Sequence, residues 1–372
     1  MSRARDFADL ASAYSGGALA NRNMIINGDM AVAQRGTSKT GFDKDTSGLF
    51  HVVDRWGLDI GTTAGAFTVT QDTDNTAPLP EALKFATTTA DTSIAAGEYV
   101  LLHQSIEGIH AARMRKGNSD AKPIVISFYV KGNAAATYGF GLRDVDNDRI
   151  YNDVFAVTTS WNRISISIPA DTNSEYLTHD NSAALQMYIW LHGGSTYTGG
   201  TFSSKTWADR SNWNTTVNSS NTSILDSTSR TFYITGVQME LGEVATPFEH
   251  ESYGANLARC QRYFHKIITT ATYTRFMVGQ ATATTTAEHY YEHPVEMRAE
   301  PSIGQTGTAS HYGVYHNNAV IACSSVPAIN TDQTTKMGVV TTVVASGQTQ
   351  GEVTCLCGNN NADAYIEFDA EI

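Results

Sequence analysis

The chain has 372 residues, 41% of them hydrophobic and 17% charged, with 25 Lys and Arg against 37 Asp and Glu for a net charge of −12. That length predicts two or three domains with ample material for buried cores. The acidic balance argues against a nucleic-acid binder, whose phosphate contacts need a basic surface. Charged residues fall below the usual share of about a quarter, and Thr, Ser, Asn and Gly fill the difference, as in strands and turns. No apolar run is long enough for a transmembrane helix, so membrane insertion is not expected. The opening MSRARDFADLAS has basic residues but no apolar core, so it does not read as a secretory signal.

Residues 1–22 predict a short helical segment, with Phe7, Leu10 and Tyr14 on one stripe and Ser15-Gly16-Gly17 ending it. Such a helix is marginal alone, so it should pack on its own domain, a sister subunit or a larger assembly. From about 23 to 250 the pattern is β. In IVISFYV, Ile124, Ile126, Phe128 and Val130 share a face. YGFGLRD and RIYNDVFAV flank the turn VDND, a hairpin. WNRISISIP alternates Ile164, Ile166 and Ile168 with serines. ALQMYIWLH sets Leu185, Met187, Ile189 and Leu191 against Tyr188, Trp190 and His192, and RTFYITGVQMELG carries a last strand. Many short strands at this spacing predict a sandwich. The Gly/Ser/Thr/Asn-rich stretch 195–222 interrupts it, the kind of long segment that is functional or inserted. Residues 252–267 predict a helix, with Leu257, Cys260, Phe264 and Ile267 as its stripe. A second β region follows, ending in AYIEFDAEI with Ile366, Phe368, Ala370 and Ile372 on one face. The four cysteines, 260, 323, 355 and 357, form neither a redox nor a zinc motif and read as reduced packing residues.

The segments NMIINGDMAVAQRG (23–36), DRW (54–56) and GVQMELGEVATPFE (236–249) resemble bacteriophage tail-fibre and receptor-binding proteins that share a carbohydrate-binding-module-like jelly roll. HQSIEG (103–108), SFYVKG (127–132), the 145–148 hairpin and SWN (160–162) follow in similar order. SYGANLARCQRYF (252–264) and HPVEMRAEPSIG (293–304) resemble the helix and C-terminal β domain that come next. The resemblance covers about 23–372. It implies an all-β chain with a jelly-roll β-sandwich (23–250), a linking helix (251–267) and a smaller C-terminal β-sandwich (268–372); residues 1–22, which lie outside the sandwich pattern, are expected to form an N-terminal helical attachment segment. It also implies a homotrimeric virion appendage, made in the host bacterial cytoplasm. Its N-terminus would meet tail or other virion proteins, and it would bind a bacterial surface polysaccharide without a cofactor. A structural head-fibre, decoration or collar component is the alternative, and a glycan depolymerase a second.

Several clusters have competing readings. Asp144, Asp146 and Asp148 mimic the start of a calcium loop, but its sixth and twelfth positions are Arg149 and Phe155 rather than Gly and Glu. A hairpin turn is the simpler account. Jelly rolls of the resembled kind can carry a structural calcium near the first strand, where Asp29 is a candidate ligand; no other metal is expected. Trp56 and Trp161 are expected in the core. Tyr188 and Trp190, with His192, face away from a full apolar stripe. They suit a second buried face, a subunit interface or a sugar-stacking platform. Trp207 and Trp213 sit on the polar insertion, as binding-loop aromatics do, or as anchors that fold it back. His289, Tyr290, Tyr291 and His293, then His311, Tyr312, Tyr315 and His316, form a cluster suited to glycan contact, subunit contact or strand packing. No nucleophile elbow, phosphate loop or zinc signature is present. No repeat suggests a long β-helix, so an enzyme is not expected.

Overall fold

The computed structural model describes residues 21–44, 50, 52–74 and 76–372. The stripe Phe7, Leu10 and Tyr14 lies outside the described residues. The chain divides into two compact units, the first running to Asn256 and the second from Leu257 to Glu371.

The first unit is a jelly-roll sandwich. Its strands are β1 (Ser38–Phe42), β2 (Gly57–Gly61), β3 (Ala66–Asp72), β4 (Ala82–Thr89), β5 (Tyr99–Glu107), β6 (Ile124–Gly132), β7 (Ala136–Asp144), β8 (Arg149–Val157), β9 (Asn162–Ile168), β10 (Ala183–Gly193), β11 (Ala208–Asp209) and β12 (Thr231–Leu241). One sheet runs β1-β3-β4-β12-β6-β9 and the other β11-β8-β7-β10-β5-β2. The alternation seen in sequence does the sorting. Ile126, Phe128 and Val130 of β6 and Leu185, Met187, Ile189 and Leu191 of β10 all enter the shared core. A chain of rings runs through it: Phe42, Phe67, Phe85, Phe232 and Tyr138, with successive centroids 5.2–6.0 Å apart. Each buried ring contributes roughly 1.5–3 kcal/mol through area alone.

The three segments that carried the family resemblance meet in one buried clasp. The Asn23 side chain accepts from Ile25 N (3.0 Å) and Met239 N (2.9 Å) and donates to Val237 O (3.0 Å). The Asn27 side chain donates to Val32 O and Asp54 O and accepts from Val32 N, while the Asn27 backbone carbonyl accepts from Trp56 Nε1 at 3.0 Å. Backbone bonds Met24 N to Met239 O and Val237 N to Gly28 O close it. These motifs are therefore internal joinery, which ties the first segment to the last strand. Trp56 is core as expected. Trp161 is not: it is half-buried on the outer side, donating to Asp74 at 3.3 Å and lying edge-on to Tyr233. The step from Ser160 to Asn162 places it at the strand's open start.

A helix, α1 (Tyr253–Gln261), carries the chain into the second unit. It is shorter than the expected 252–267. Phe264 and Ile267 belong instead to strand β13 (Phe264–Ile268), which pairs with the final strand from Phe264↔Asp369 to Ile268↔Tyr365. The period-3 stripe overlapped a β-branched run that tertiary pairing claimed. The other strands are β14 (Arg275–Ala281), β15 (Thr286–Glu292), β16 (Ser302–Gln305), β17 (Tyr312–His316), β18 (Ala319–Ala322), β19 (Ala328–Ile329), β20 (Met337–Val343), β21 (Val353–Gly358) and β22 (Tyr365–Asp369). A three-stranded sheet, β13-β22-β16, and a seven-stranded sheet, β18-β17-β21-β14-β15-β20-β19, share one core. Ile366, Phe368 and Ala370 fill it as their alternation predicted.

Cys260, Cys323, Cys355 and Cys357 form no disulfide. Burial pushes Cys323 up to about 12 and Cys357 up to about 11, while Cys260 is fully enclosed and Cys355 is half-exposed. Iodoacetamide should therefore label Cys355 first in the native protein and the other three only after denaturant, as counted by mass. Equal labelling rates would contradict the packing.

Candidate functional site

The outer face of the β5/β10 sheet is where the sequence placed Tyr188 and Trp190. Two glycine pairs shape that face. Gly139 and Gly141 of β7 lie opposite Trp190 and Tyr188. On β2, a Cβ at Gly57 would fall 2.5 Å from the His103 ring, and one at Gly61 would fall 2.2 Å from the Tyr99 ring. Missing side chains make room for large rings on neighbouring strands. The Gly-x-Gly spacing in YGFGLRD is the sequence signal for this pair of ring sites.

The rings do not form an open platform. Residues 195–222 fold back over them, and Tyr188, Trp190 and Val217 are buried with Tyr99, Tyr197 and Trp213 packed against them. Trp190 is 1% exposed. Trp213 meets Tyr188 and Trp190 at 6.4 and 6.2 Å, and the Arg210 guanidinium lies 4.0 Å above its ring. Arg210 in turn grips Asp148 at 2.9 and 2.6 Å. Trp207 packs on the sandwich core, donates from Nε1 to Pro169 O at 2.9 Å and lies under Lys116. Both loop tryptophans thus hold the insertion down. Trp213→Ala should cost about 3–5 kcal/mol, the range for losing a packed aromatic, measured by denaturant unfolding. A change below about 0.5 kcal/mol would show the ring to be a free surface group.

The acids and bases here are spent on structure. Asp144 is buried against Lys116 at 2.5 Å, and Asp146 accepts from Thr178 N. Asp148 is held by Arg143 and Arg210. The DVDND segment is a hairpin turn whose carboxylates point to separate partners. Asp29 accepts from Asn256 at 2.9 Å. Burial, with the charge of Asp29 adding to it, pushes the Glu81 carboxyl up. Among the described residues no three His, Cys, Asp or Glu side chains gather as metal ligands.

One arrangement imitates a nucleophilic triad. Ser223 Oγ lies 2.7 Å from His192 Nδ1, and His192 Nε2 lies 3.4 Å from Glu98. His192 is fully buried, and burial holds it below the usual histidine range although Glu98 and Asp91 pull it up. Ser223 Oγ also accepts from Leu225 N. Ser223 and Glu98 are buried as well, so the group works as a loop tether, without the exposure a nucleophile needs.

In the second unit the His/Tyr cluster splits in two. His289 and Tyr312 are fully buried; Tyr312 donates to Tyr365 O at 2.6 Å. Tyr291 stacks on His265 and Phe368 at 5.0 and 5.7 Å, with His293 edge-on to Phe368 at 4.8 Å. His316 pairs with Glu352 at 2.7 Å, and His311 lies 3.2 Å from Thr306 Oγ1. Tyr290, 41% exposed, and Tyr315 remain at the surface. Tyr315 lines a cleft of about 360 Å³ with Tyr273, Arg275, Asn318 and Asn359. The exposed Arg275 guanidinium lies 4.1 Å over the Tyr315 ring, and the Tyr315 hydroxyl donates to Asn318 at 2.9 Å. Tyr273 sits at φ +64° on the loop before β14, and Asn317 and Asn318, both at positive φ, form the β17–β18 turn. Of these residues only Tyr315 stands out in the sequence, as part of the His/Tyr cluster; Tyr273 and Arg275 reach it only in the fold, where β21 lies between β14 and β17.

No protein-family model and no curated protein matches the chain. Among solved structures it is similar to a structure described as CBM4 (TM-score 0.31, 11% identity, covering 58% of this chain and 98% of the other). It is similar to a family 11 carbohydrate-binding module from Clostridium thermocellum in complex with a β-1,3-1,4-mixed-linked tetrasaccharide (0.27, 14%, 58% and 99%). It is also similar to the CBM22-2 xylan-binding domain of Paenibacillus barcinonensis Xyn10C (0.27, 14%, 55% and 99%). Likenesses at this level establish neither a family nor a ligand.

Proposed function

We propose that this chain is a non-enzymatic, glycan-binding virion appendage of the phage tail-fibre kind, working as a homotrimer with its N-terminal segment toward the particle. The observation that carries the glycan reading is the open Tyr273–Arg275–Tyr315 cleft with Asn318 and Asn359 at its wall. The exposed Tyr273 ring suits the C–H face of a pyranose, and amide and guanidinium groups suit its hydroxyls. The order of sequence motifs supports the virion setting. The purified full chain should bind host surface polysaccharide and compete with phage for adsorption. Chain lacking 1–22 should still bind the polysaccharide yet fail to enter virions. Normal incorporation of that truncated chain would refute the attachment role.

A structural decoration or collar role is the second reading. It is favoured by the jelly-roll face being filled by its own insertion. Adsorption that is unaffected by excess free chain would support it.

A further inference from the structure

The cleft does not stand alone. Cross-strand register places Val320 of β18 opposite Tyr315 of β17, Tyr315 opposite Cys355 of β21, Cys355 opposite Val278 of β14, and Val278 opposite Tyr290 of β15. Directly opposed residues of an antiparallel sheet share a face. These five therefore form one apolar row across five adjacent strands, and at about 4.8 Å per strand its ends are about 19 Å apart. The opposite face of the same strands carries Val314, Leu356, Met277 and Ala287 into the core. On the outside, Val278 is 59% exposed and Tyr290 41%. Such a row is costly to leave in water unless something lies on it.

Charge marks its two ends differently. Arg275, at the Tyr315 end, has a ring beneath it and no carboxylate partner among the described residues. At the Tyr290 end stands Glu288, which accepts from Asn330 at 3.2 Å and from the Tyr290 hydroxyl at 3.5 Å. Gln280 follows Val278 on this face, paired with Glu288. The row thus has a cationic head and a polar, acid-bearing tail.

Building on the glycan-binding reading, we infer that this outer face of the seven-stranded sheet is the binding track. Its ligand is a linear polysaccharide bearing carboxylates, lying across the strands with one acidic sugar in the Arg275 cleft. The guanidinium, held over the Tyr315 ring, supplies a charge-assisted contact to the carboxylate, and the exposed Tyr290 supplies a ring face several sugars away. The jelly-roll aromatics take no part, because the 195–222 insertion covers them.

The test is binding of the full chain to a panel of purified uronate-containing capsular polysaccharides, to their carboxyl-reduced forms, and to oligosaccharides of graded length. Carboxyl reduction and Arg275→Gln should each weaken binding at least tenfold. Tyr290→Ala should weaken long oligosaccharides several-fold while sparing the shortest that bind. Binding of neutral glycans with Arg275→Gln and Tyr290→Ala both unchanged would overturn this track and leave the glycan-binding reading standing. No binding of any glycan would overturn both. Each variant is checked by sedimentation: a change of oligomeric state in Tyr290→Ala or Val278→Ser would show the row to be a subunit interface and would overturn the inference.

Discussion

Gly28→Ala should leave the first unit unable to fold at ordinary temperature. A Cβ at Gly28 would fall 2.0 Å from the Val237 carbonyl oxygen, a backbone atom that cannot swing aside. The same carbonyl receives the Asn23 amide, and Val237 N donates to Gly28 O. Displacing one side of the clasp breaks the other. Asn23→Ala is the milder version: it leaves Ile25 N and Met239 N without their acceptor and Val237 O without its side-chain donor. At about 1–3 kcal/mol per buried group that loses its partner, the loss should total about 3–9 kcal/mol. Val244→Ala, at a residue 80% exposed, should shift stability by less than about 0.5 kcal/mol. Denaturant unfolding followed by tryptophan fluorescence checks this, since all five tryptophans precede residue 214. If Asn23→Ala were as stable as Val244→Ala, the clasp would not hold the fold.

Acid should loosen the second unit before the first. Burial lowers His265, His289 and His293 from 6.5 to about 4, with His293 adding repulsion at His265. In the unfolded chain they take up protons near 6.5. Between about 6.5 and 4 the unfolded state therefore binds more protons, and stability falls as pH falls through that window. Above 6.5 these groups cause no pH dependence. Each contributes about 2–3 kcal/mol across the window, given 1.36 kcal/mol per pKa unit and room for relaxation. The first unit holds His192, also lowered by burial, so it feels the same effect from fewer groups. Hydrogen exchange at pH 7 and 4.5 should show β14, β15 and β22 losing protection first while β10 keeps it. His265→Phe keeps the stack between Tyr291 and Phe368 and should flatten part of the dependence. Equal acid sensitivity of β10 and β15 would contradict the assignment.

The fold was largely legible. Ile164, Ile166 and Ile168 alternate with serines, and the core takes the isoleucines, because a strand's period of two sorts faces wherever one side is buried. The same rule aligned β6, β10 and β22. It failed at Phe264 and Ile267, where a helical stripe and a strand both fit and pairing with β22 decided. The sites were less legible. Periodicity showed that Tyr188 and Trp190 share a face, but what covers a face is a tertiary fact, and here the cover is Trp213 and Tyr197 from the insertion. Arg275 and Tyr315 lie forty residues apart and meet only because β21 sits between β14 and β17. The motifs around Asn23, Asn27 and Val237 build the clasp and line no candidate surface.

Glycan binding without cleavage is tested by passing the purified chain over immobilised bacterial surface polysaccharides and then sizing the polymer after prolonged incubation with the protein. Saturable binding, competed by free polysaccharide, with polymer length unchanged is expected. Absence of binding to every polysaccharide, or progressive shortening of the polymer, would refute the glycan-binding, non-enzymatic reading.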